Sequence, residues 1–258
     1  MLNEDAFVDF ACPYCGATLS FPADDRGRLV PCAECTEPVI VPIEGQTVGG
    51  KVPIPLQTQR LVLRRLKPTD WKDLLALVSS EALFAHVDGG PMTEEQVVEW
   101  AETDGQSKLT TPGQPFYLGI ELQQTAQLIG CVSLMFSPPN PLSSGFPAPT
   151  RRMVIEPPDF FDLRAAQAQL SLLVHPAHQR KGIGTEAATA VLELCFGILG
   201  IHRTVAACTP DNIPATRLCA KLGMRPEGHH LKAVVVRGEW RDMLIFAMLR
   251  DEFLSRHA

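Results

Sequence analysis

The chain has 258 residues, of which 45% are hydrophobic and 20% are charged, and it carries a formal net charge of −6, as expected for a globular protein of one or two domains. Its apolar runs, such as residues 131–136, are too short to span a bilayer, and its acidic first ten residues lack the basic start and apolar core of a signal peptide. We therefore expect a cytoplasmic protein with no membrane partner, whose eight cysteines are thiols or metal ligands rather than disulfides.

The negative charge is concentrated at the start of the chain. Residues 1–44 hold eight acidic and two basic side chains, so their net charge of −6 equals that of the whole chain. Residues 45–56 are rich in glycine and then in spaced prolines, which is typical of a linker. This composition predicts a small domain at 1–44, a linker at 45–56 and a larger domain at 57–258.

Four cysteines in the small domain have the spacing of metal ligands. Cys12, Cys15, Cys32 and Cys35 form two C-x2-C pairs that are sixteen residues apart. Four thiolates at this spacing can close a tetrahedron around zinc, and a site with four protein ligands has no open position for chemistry. We expect a structural zinc ion that supplies much of the folding energy of this short segment; iron and four unligated thiols are the alternatives.

The segment from Phe10 to Pro42 resembles the short zinc ribbons that are attached to many bacterial proteins. Zinc ribbons often bind nucleic acid, but binding to phosphates requires Lys and Arg. The first 44 residues contain only Arg26 and Arg28 as basic side chains. The sequence therefore argues against nucleic acid as a partner and favours a contact with protein or with the larger domain.

Hydrophobic periodicity predicts the elements of the first part of the larger domain. Thr69 is the expected cap of the first helix, and Thr93 with Gln96 forms a capping box for the second. The predicted elements, in chain order, are a strand at 59–66, helices at 68–80 and 93–102, and strands at 114–122 and 127–136.

Residues 137–163 interrupt this pattern with a proline-rich insertion. Seven prolines lie between positions 137 and 161, too many for a regular helix or strand. Its aromatic side chains Phe146, Phe160 and Phe161 suggest an ordered loop that shapes a pocket.

The remaining elements return to a regular alternation. We predict a strand at 168–174, a helix at 184–200 that ends at Gly200, a strand at 202–209, a helix at 214–223, and a hairpin that turns at Arg237–Gly238. The buried face of the long helix is expected to comprise Ala187, Ala190, Val191, Leu194, Cys195 and Ile198. Cys131, Cys195 and Cys208 lie in apolar patterns and are expected in the core. The resulting order, β-α-α-β-β-β-α-β-α-β-β, indicates a mixed α/β fold with an antiparallel run.

The stretch from Val174 to Gly184 places Gln, Arg and Lys directly before two glycines. Glycines beside cations suggest a backbone that approaches phosphate oxygens. A Walker loop is excluded because the lysine precedes the glycines. The spacing of Gly182, Gly184 and Ala187 formally fits a dinucleotide fingerprint, but seven residues separate it from the preceding strand, whereas that motif begins at the strand end.

The sequence Q-R-K-G-I-G resembles the pyrophosphate loop of the GNAT superfamily of N-acetyltransferases. A second motif supports this, because Asn212, Ala215, Leu218 and Gly223 match the later family pattern N-x-x-A-x-x-L…G. The chain's end is similar to that of the RimJ/RimL-like branch, so that the resemblance covers about residues 57–253. Cys219 and Met224 depart from the family pattern, which often has tyrosine and phenylalanine there.

The resemblance implies a mixed, mostly antiparallel sheet that is splayed between its fourth and fifth strands and flanked by helices. It also implies direct transfer of acetyl from acetyl-CoA to a neutral amine. A backbone N–H near Leu173 or Val174 would polarise the thioester, and Asn212 would contact the pantetheine arm or acetyl group. Cys219 either protonates the departing thiolate or packs in the core with the apolar face of its helix. The implied pyrophosphate-binding residues are Gln179, Arg180, Lys181, Gly182, Ile183, Gly184 and Thr185.

The general base and the acceptor amine stay open at this point. Many relatives carry a glutamate where this chain has Gln169, which cannot accept a proton. The candidates for a base are Glu121, His175, Glu156 and Asp159, or a chain of waters. The acceptor is a protein N-terminus or a small amine, and the chain acts as a monomer or a homodimer. The alternative function is that of an acetyl-CoA-binding scaffold that acts through its zinc ribbon without transferring acetyl.

Overall fold

The computed structural model describes residues 7–43, 46–79, 81–86, 90–109, 114–137 and 166–257. The helices among these residues are α1 (Trp71–Val78), α2 (Glu94–Glu102), α3 (Ile183–Glu193), α4 (Ile213–Leu222) and α5 (Arg250–His257). The strands of the N-terminal part are β1 (Phe7–Ala11), β2 (Thr18–Pro22), β3 (Leu29–Pro31), β4 (Pro38–Ile40) and β5 (Gly50–Lys51). The strands of the larger part are β6 (Leu56–Gln57), β7 (Leu61–Arg65), β8 (Pro115–Leu122), β9 (Leu128–Ser137), β10 (Gln167–Val174), β11 (Arg203–Cys208), β12 (Arg225–Val236) and β13 (Glu239–Leu249).

One large sheet organises the C-terminal part of the chain. Its eight strands lie in the order β12-β13-β11-β10-β9-β8-β7-β6, and β10 with β11 is the parallel pair among otherwise antiparallel neighbours. Helix α3 packs on one face, where the even-numbered residues Ala168 and Leu170 of β10 are buried. Helices α1 and α2 pack on the other face, against Leu128 and Cys131 of β9. The predicted mixed α/β fold is confirmed.

The predicted elements of the larger domain are present in the predicted order. The capping box is also confirmed, because Gln96 N donates to Thr93 Oγ1 and Thr93 N donates to Gln96 Oε1. The three cysteines that were expected in the core are buried: Cys131 is 4% exposed, Cys195 is 0% exposed and Cys208 is 7% exposed.

The expected Thr69 cap is wrong. Pro68–Asp70 forms a 3-10 turn before α1, and it is the Asp70 carboxylate that accepts a hydrogen bond from Lys67 N, at 2.8 Å. The same carboxylate accepts from Arg64 Nη1 at 2.8 Å. Asp70 therefore ties the entry of the helix to strand β7, a role that Thr69 would lack.

The expected burial of Ile198 is also wrong, since this side chain is 42% exposed. The helix widens into a π-turn at Leu194–Ile198, where Leu199 N donates to Leu194 O. A π-turn adds one residue to the turn, so the 3.6-residue period that predicted the buried face no longer applies beyond Leu194.

Helix α5 was not predicted, because its sequence is strongly polar. It is held through Phe253, whose ring lies 5.1 Å from that of Phe196 between centroids, and through Arg250 Nε, which donates to Phe196 O at 2.9 Å. The helix therefore depends on tertiary contacts rather than on its own amphipathic pattern.

The N-terminal part forms two small sheets, β1-β2 and β3-β4-β5. Strand β5 and the pairing of Ala11 with Val48 belong to residues that were predicted to be a linker, so the hydrogen bonding of the ribbon extends beyond residue 44. Leu29 of β3 belongs to the hydrophobic cluster of the large sheet. The ribbon is therefore packed against the larger domain.

Polar contacts join the ribbon to the larger domain as well. Lys108 Nζ donates to Cys35 O at 2.9 Å, and Glu37 lies 3.5 Å from Arg65 Nη1. The proline-rich insertion at 137–163 lies, apart from its first residue, outside the described residues. None of the described helices combines the length and the apolar composition that are needed to cross a membrane.

Candidate active site and cysteine cluster

A gap in the large sheet lies between β10 and β11. The two strands pair only from Gln167 to Gln169 with Arg203 to Val205. Beyond this point β10 continues to Val174 alongside β9, while β11 continues to Cys208 alongside β13. The described strands therefore form the splay that the family resemblance implied.

The backbone of Val174 points into this gap. His175 N donates to Ile129 O of β9, at 2.8 Å. Successive residues of a strand direct their peptide groups to opposite sides, so the N–H and C=O of Val174 face away from β9. The carbonyl accepts from Gln179 Nε2 at 2.9 Å. This alternation favours Val174 over Leu173 as the donor to a thioester, and it gives Gln179 the role of anchoring the loop.

The loop that follows β10 ends at an uncapped helix N-terminus. Arg180 has φ of 59° and Gly182 has φ of 80°, and Gly182 is the N-cap of α3 without a side-chain cap. The first N–H groups of a helix have no partner within the helix. With Arg180 and Lys181 exposed beside them, the N–H groups of Ile183, Gly184 and Thr185 form a positive cradle for phosphate oxygens.

Gly184 lets α3 lie close to the sheet. A Cβ atom added at this position would lie 3.2 Å from Leu172 Cδ2 and 3.8 Å from Leu218 Cδ2. The first is tighter than ordinary van der Waals contact between carbons. The absence of a side chain at Gly184 therefore sets the distance between the cradle and the gap.

An ion pair that the sequence did not reveal fixes the start of α3. Arg60 Nε donates to Glu186 Oε2 at 2.7 Å, Thr58 Oγ1 donates to Glu186 Oε1 at 2.6 Å, and Arg60 Nη1 donates to Lys181 O at 2.9 Å. Partial burial alone would raise the pKa of Glu186, but the hydrogen bonds from Thr58 and Arg60 outweigh it and lower the pKa. Arg60 and Glu186 are 126 residues apart, so no local pattern could predict the contact.

The structure gives Asn212 a capping role. Its Oδ1 accepts from Ala215 N at 3.2 Å, which caps helix α4. The residue lies four positions after Cys208, the last residue of β11, and β11 borders the gap. A contact of Asn212 with the cofactor stays a prediction.

The environment of Cys219 favours packing over acid catalysis. The side chain is 6% exposed and belongs to the same hydrophobic cluster as Cys208. Burial raises the pKa of the Cys219 thiol to about 12. A thiol with a raised pKa gives up its proton less readily, so it is a poorer acid for a departing thiolate.

We expect Cys219→Ala to lower the free energy of unfolding by about 1 kcal/mol and to leave kcat within about twofold of the wild type, because the thiol fills core space. Thermal melts and steady-state kinetics measure the two effects, and Cys219→Tyr should be poorly tolerated at this buried position. A loss of about 100-fold in kcat that Cys219→Tyr partly restores would instead establish an acid role.

The proposed bases differ in their surroundings. Glu121 accepts from Arg64 Nε at 2.6 Å, on the strand beside β7 and away from the gap. His175 Nδ1 accepts from Ala177 N at 3.2 Å. Gln169 is exposed on the sheet face opposite α3. Glu156 and Asp159 lie outside the described residues.

The four ribbon cysteines come together in space. Their sulfur atoms all lie within 4.8 Å of one another, with 3.8 Å between Cys12 and Cys35 and 3.7 Å between Cys15 and Cys32. Zinc binds sulfur at about 2.3 Å, so two sulfur atoms of a tetrahedral site are about 3.8 Å apart. The cluster therefore has the donor set and the size that fit one zinc ion.

Three proteins of similar sequence are named as N-acetyltransferases. YnaD of Bacillus subtilis, an uncharacterized N-acetyltransferase, is 39% identical over 85 residues, which cover 33% of this chain and half (50%) of YnaD. YjcK of the same organism, a probable N-acetyltransferase, is 26% identical over 204 residues, covering 76% of this chain and 98% of YjcK. The Escherichia coli alanine N-acetyltransferase of ribosomal protein uS5 is 34% identical over 75 residues, covering 29% and 39% of the two chains.

Solved structures share the fold. An acetyltransferase of the GNAT family from Bacillus anthracis superposes with a TM-score of 0.59 at 23% identity, over 76% of this chain and 99% of the other. Spermidine N-acetyltransferase from Vibrio cholerae, solved with CoA and spermine, superposes with a TM-score of 0.57 at 19% identity, over 76% and 99% of the two chains.

The assignment of this chain to a family rests on a match over most of the larger domain. Residues 60–225, well over half of the chain, match the model of the acetyltransferase (GNAT) domain. The matched range includes the gap between β10 and β11, the cradle at α3 and the cap of α4. The predicted class of enzyme is thus confirmed at the level of the family, and this chain belongs to the GNAT family of acetyltransferases.

Proposed function

We propose that this chain transfers the acetyl group of acetyl-CoA directly to an amine, either a protein N-terminus or a small amine. The observation that carries the proposal is the uncapped N-terminus of α3, with Gly182 at φ 80°, beside the gap into which Val174 points its N–H. A phosphate cradle and a hydrogen-bond donor next to the same gap are what a thioester co-substrate requires.

Each part of the site has its own role in this proposal. The cradle from Gln179 to Thr185 holds the pyrophosphate of acetyl-CoA, with Arg180 and Lys181 adding positive charge. The N–H of Val174 polarises the thioester carbonyl, and Asn212 borders the pantetheine arm. A neutral amine then attacks the carbonyl carbon, the carbon–sulfur bond breaks, and the thiolate leaves with the electron pair.

The relatives support an amine acceptor and leave two kinds open. One similar protein acetylates an alanine of ribosomal protein uS5, and one structure with the same fold was solved with CoA and spermine. The first acceptor is an amino group of a protein and the second is a small polycation. Both acetylations transfer the same group to the same type of nitrogen, so we propose the reaction class and test both acceptors.

A scaffold that binds acetyl-CoA without transferring it is the second candidate. Gln169, which lies on the face of β10 opposite α3, favours it because an amide cannot take a proton from an ammonium group. The two candidates share cofactor binding and differ in turnover.

The ribbon is proposed to hold one zinc ion through Cys12, Cys15, Cys32 and Cys35. The ion would supply folding energy to a segment whose own core is small, and its four thiolates leave no open position for catalysis. The proposed parts of the chain are the ribbon at 1–44, a linker at 45–56 whose residues Val48 and Gly50–Lys51 pair with ribbon strands, and the acetyltransferase domain at 57–258.

A thiol-release assay tests the proposed function. The purified full-length protein is mixed with acetyl-CoA and with each of two acceptors, spermidine and a peptide that begins with alanine. We expect release of CoA that depends on one of the acceptors. Binding of acetyl-CoA by calorimetry without release in either reaction would support the scaffold instead.

A further inference from the structure

Three elements bring charged side chains together at the β11 side of the gap. His86 follows the 3-10 helix Glu81–Ala85, Asp211 lies between β11 and α4, and Arg241 lies on β13. His86 Nδ1 is 3.5 Å from Asp211 Oδ1, and Arg241 Nη1 is 3.5 Å from Asp211 Oδ2. We call these three residues the His86 cluster. Neither the family motifs nor the sequence pattern singled it out.

The cluster stands beside the proposed reaction centre. Asp211 is the third residue after Cys208, the last residue of β11, and it directly precedes Asn212, the cap of α4. Strand β11 forms one wall of the gap, and Val174 ends the other wall. His86, which lies beside Asp211, is therefore located past the carboxyl end of β11, the end at which the gap opens.

The cluster also lies on the face of the sheet opposite helix α3, on the β11–β13 side of the gap. On β13, Phe246 and Met248 belong to the hydrophobic cluster that contains α3. Side chains alternate between faces along a strand, so Arg241 projects from the opposite face, as Gln169 does on β10. This is the face from which an acceptor amine can reach the gap without displacing α3.

The ring of His86 is buried at one nitrogen and accessible elsewhere. Its Nδ1 lies 3.5 Å from Asp211 Oδ1 and makes no hydrogen bond with any described residue, while the side chain as a whole keeps 29% exposure. Arg237 Nη2 donates to Glu81 O at 3.1 Å, which fastens the 3-10 helix before His86 to the β12–β13 turn. This contact fixes the segment that carries His86, and part of the ring is accessible to solvent.

Other described residues serve the role of a base less well. Gln169 has no basic group, and Glu121 is engaged by Arg64 on a distant strand. His175 uses Nδ1 to accept a hydrogen bond from its own turn. His86 combines an imidazole, a carboxylate partner and a place on the face opposite α3, which is the arrangement of a base that is oriented by a second group.

We propose that His86 is the general base of the acetyl transfer and that Asp211 is its positioning residue; the proposal rests on the proposed function above. The neutral ring takes one proton from the acceptor ammonium and later releases it to solvent. The resulting amine attacks the thioester carbonyl carbon, and the carbon–sulfur bond breaks. The second proton that the nitrogen loses ends on the CoA sulfur, so an amide and a free thiol are the products.

Three charged groups surround the ring of His86. Asp211 Oδ1 lies 3.5 Å from His86 Nδ1, Arg241 Nη1 lies 3.5 Å from Asp211 Oδ2, and Glu239 Oε2 accepts from Arg241 Nη2 at 2.7 Å. Glu81, on the helix before His86, is exposed. With a histidine as base, kcat/KM of the wild type should rise with pH within the range of about 5 to 8 in which imidazoles lose their proton.

The test compares His86→Gln with the wild type in the thiol-release assay, with spermidine and the alanine peptide as acceptors from pH 5 to 9. We expect kcat to fall by about 100-fold and the rise between pH 5 and 8 to disappear. The Kd for acetyl-CoA, measured by calorimetry, should stay within about twofold, which shows that the variant is folded. His202→Gln, at an exposed histidine after α3, is the matched control and should behave like the wild type.

Asp211→Asn provides a second variant. Removing the carboxylate leaves the imidazole without its positioning group, so kcat should fall by about tenfold in the wild-type background and change little further in the His86→Gln background. A His86→Gln enzyme with the kcat and pH profile of the wild type would overturn the inference but leave the proposed function standing. A wild type that binds acetyl-CoA and transfers acetyl to neither acceptor would overturn both.

Discussion

Gly182→Val is expected to abolish the binding of acetyl-CoA while the chain still folds. Gly182 has φ of 80°, a conformation that costs an L-residue about 1–2 kcal/mol and costs a β-branched residue more. Its added Cβ would lie 3.3 Å from Arg60 Nη2, and the rest of the side chain would stand where phosphate oxygens approach the cradle. We expect calorimetry to show a loss of affinity of about 100-fold or more, equal to about 2.7 kcal/mol.

Gly238→Val is the matched control for backbone strain. Gly238 has φ of 78° and no heavy atom within 4 Å of an added Cβ, and it lies in the β12–β13 turn rather than in the cradle. The two variants therefore share the cost of a valine at positive φ and differ in whether the side chain meets the proposed pyrophosphate. Equal affinities for acetyl-CoA in the two variants, at comparable melting temperatures, would show that the cradle does not hold the cofactor.

Hydrophobic periodicity predicted most elements of the fold, because each strand of the large sheet and each helix packed on it buries side chains at a regular period. It failed where the backbone departs from regular geometry, as at the π-turn that exposes Ile198. It also failed where stability comes from distant partners. Helix α5 is held by Phe253 on Phe196, and strand β5 is held by β4, and neither partner is visible in the local sequence.

The candidate site likewise combines features that were visible in the sequence with contacts that were not. The spacing of the cysteine pairs indicated a metal, and the resemblance of the stretch from Gln179 to Thr185 to a family motif implied acetyl-CoA. The ion pair of Arg60 with Glu186 and the approach of His86 to Asp211 join residues that are more than 100 positions apart. Such contacts depend on how the sheet brings distant strands and loops together. The spacing of residues along the chain carries no information about this.

Cys32→Ser is expected to remove the metal and to weaken the whole chain. The wild type should contain about one zinc ion, because the four thiolates have the size and geometry of one tetrahedral site. Without one ligand the ribbon should lose the folding energy that the metal supplies. Elemental analysis should then find close to zero zinc in Cys32→Ser, whereas Cys131→Ala, which removes a buried thiol from β9, should keep the wild-type zinc content.

The loss of zinc should also destabilise the acetyltransferase domain, because the ribbon contacts this domain. Leu29 of the ribbon packs in the core of the large sheet, and the carbonyl of Cys35 accepts from Lys108. If these contacts contribute about 2 kcal/mol, the melting temperature should fall by about 4–8 °C. The Kd for acetyl-CoA should change little, because the cradle at α3 is built without ribbon residues. A strong chelator should lower the melting temperature of the wild type and leave that of Cys32→Ser unchanged; an equal response of both proteins, or a wild type without zinc, would contradict a structural metal.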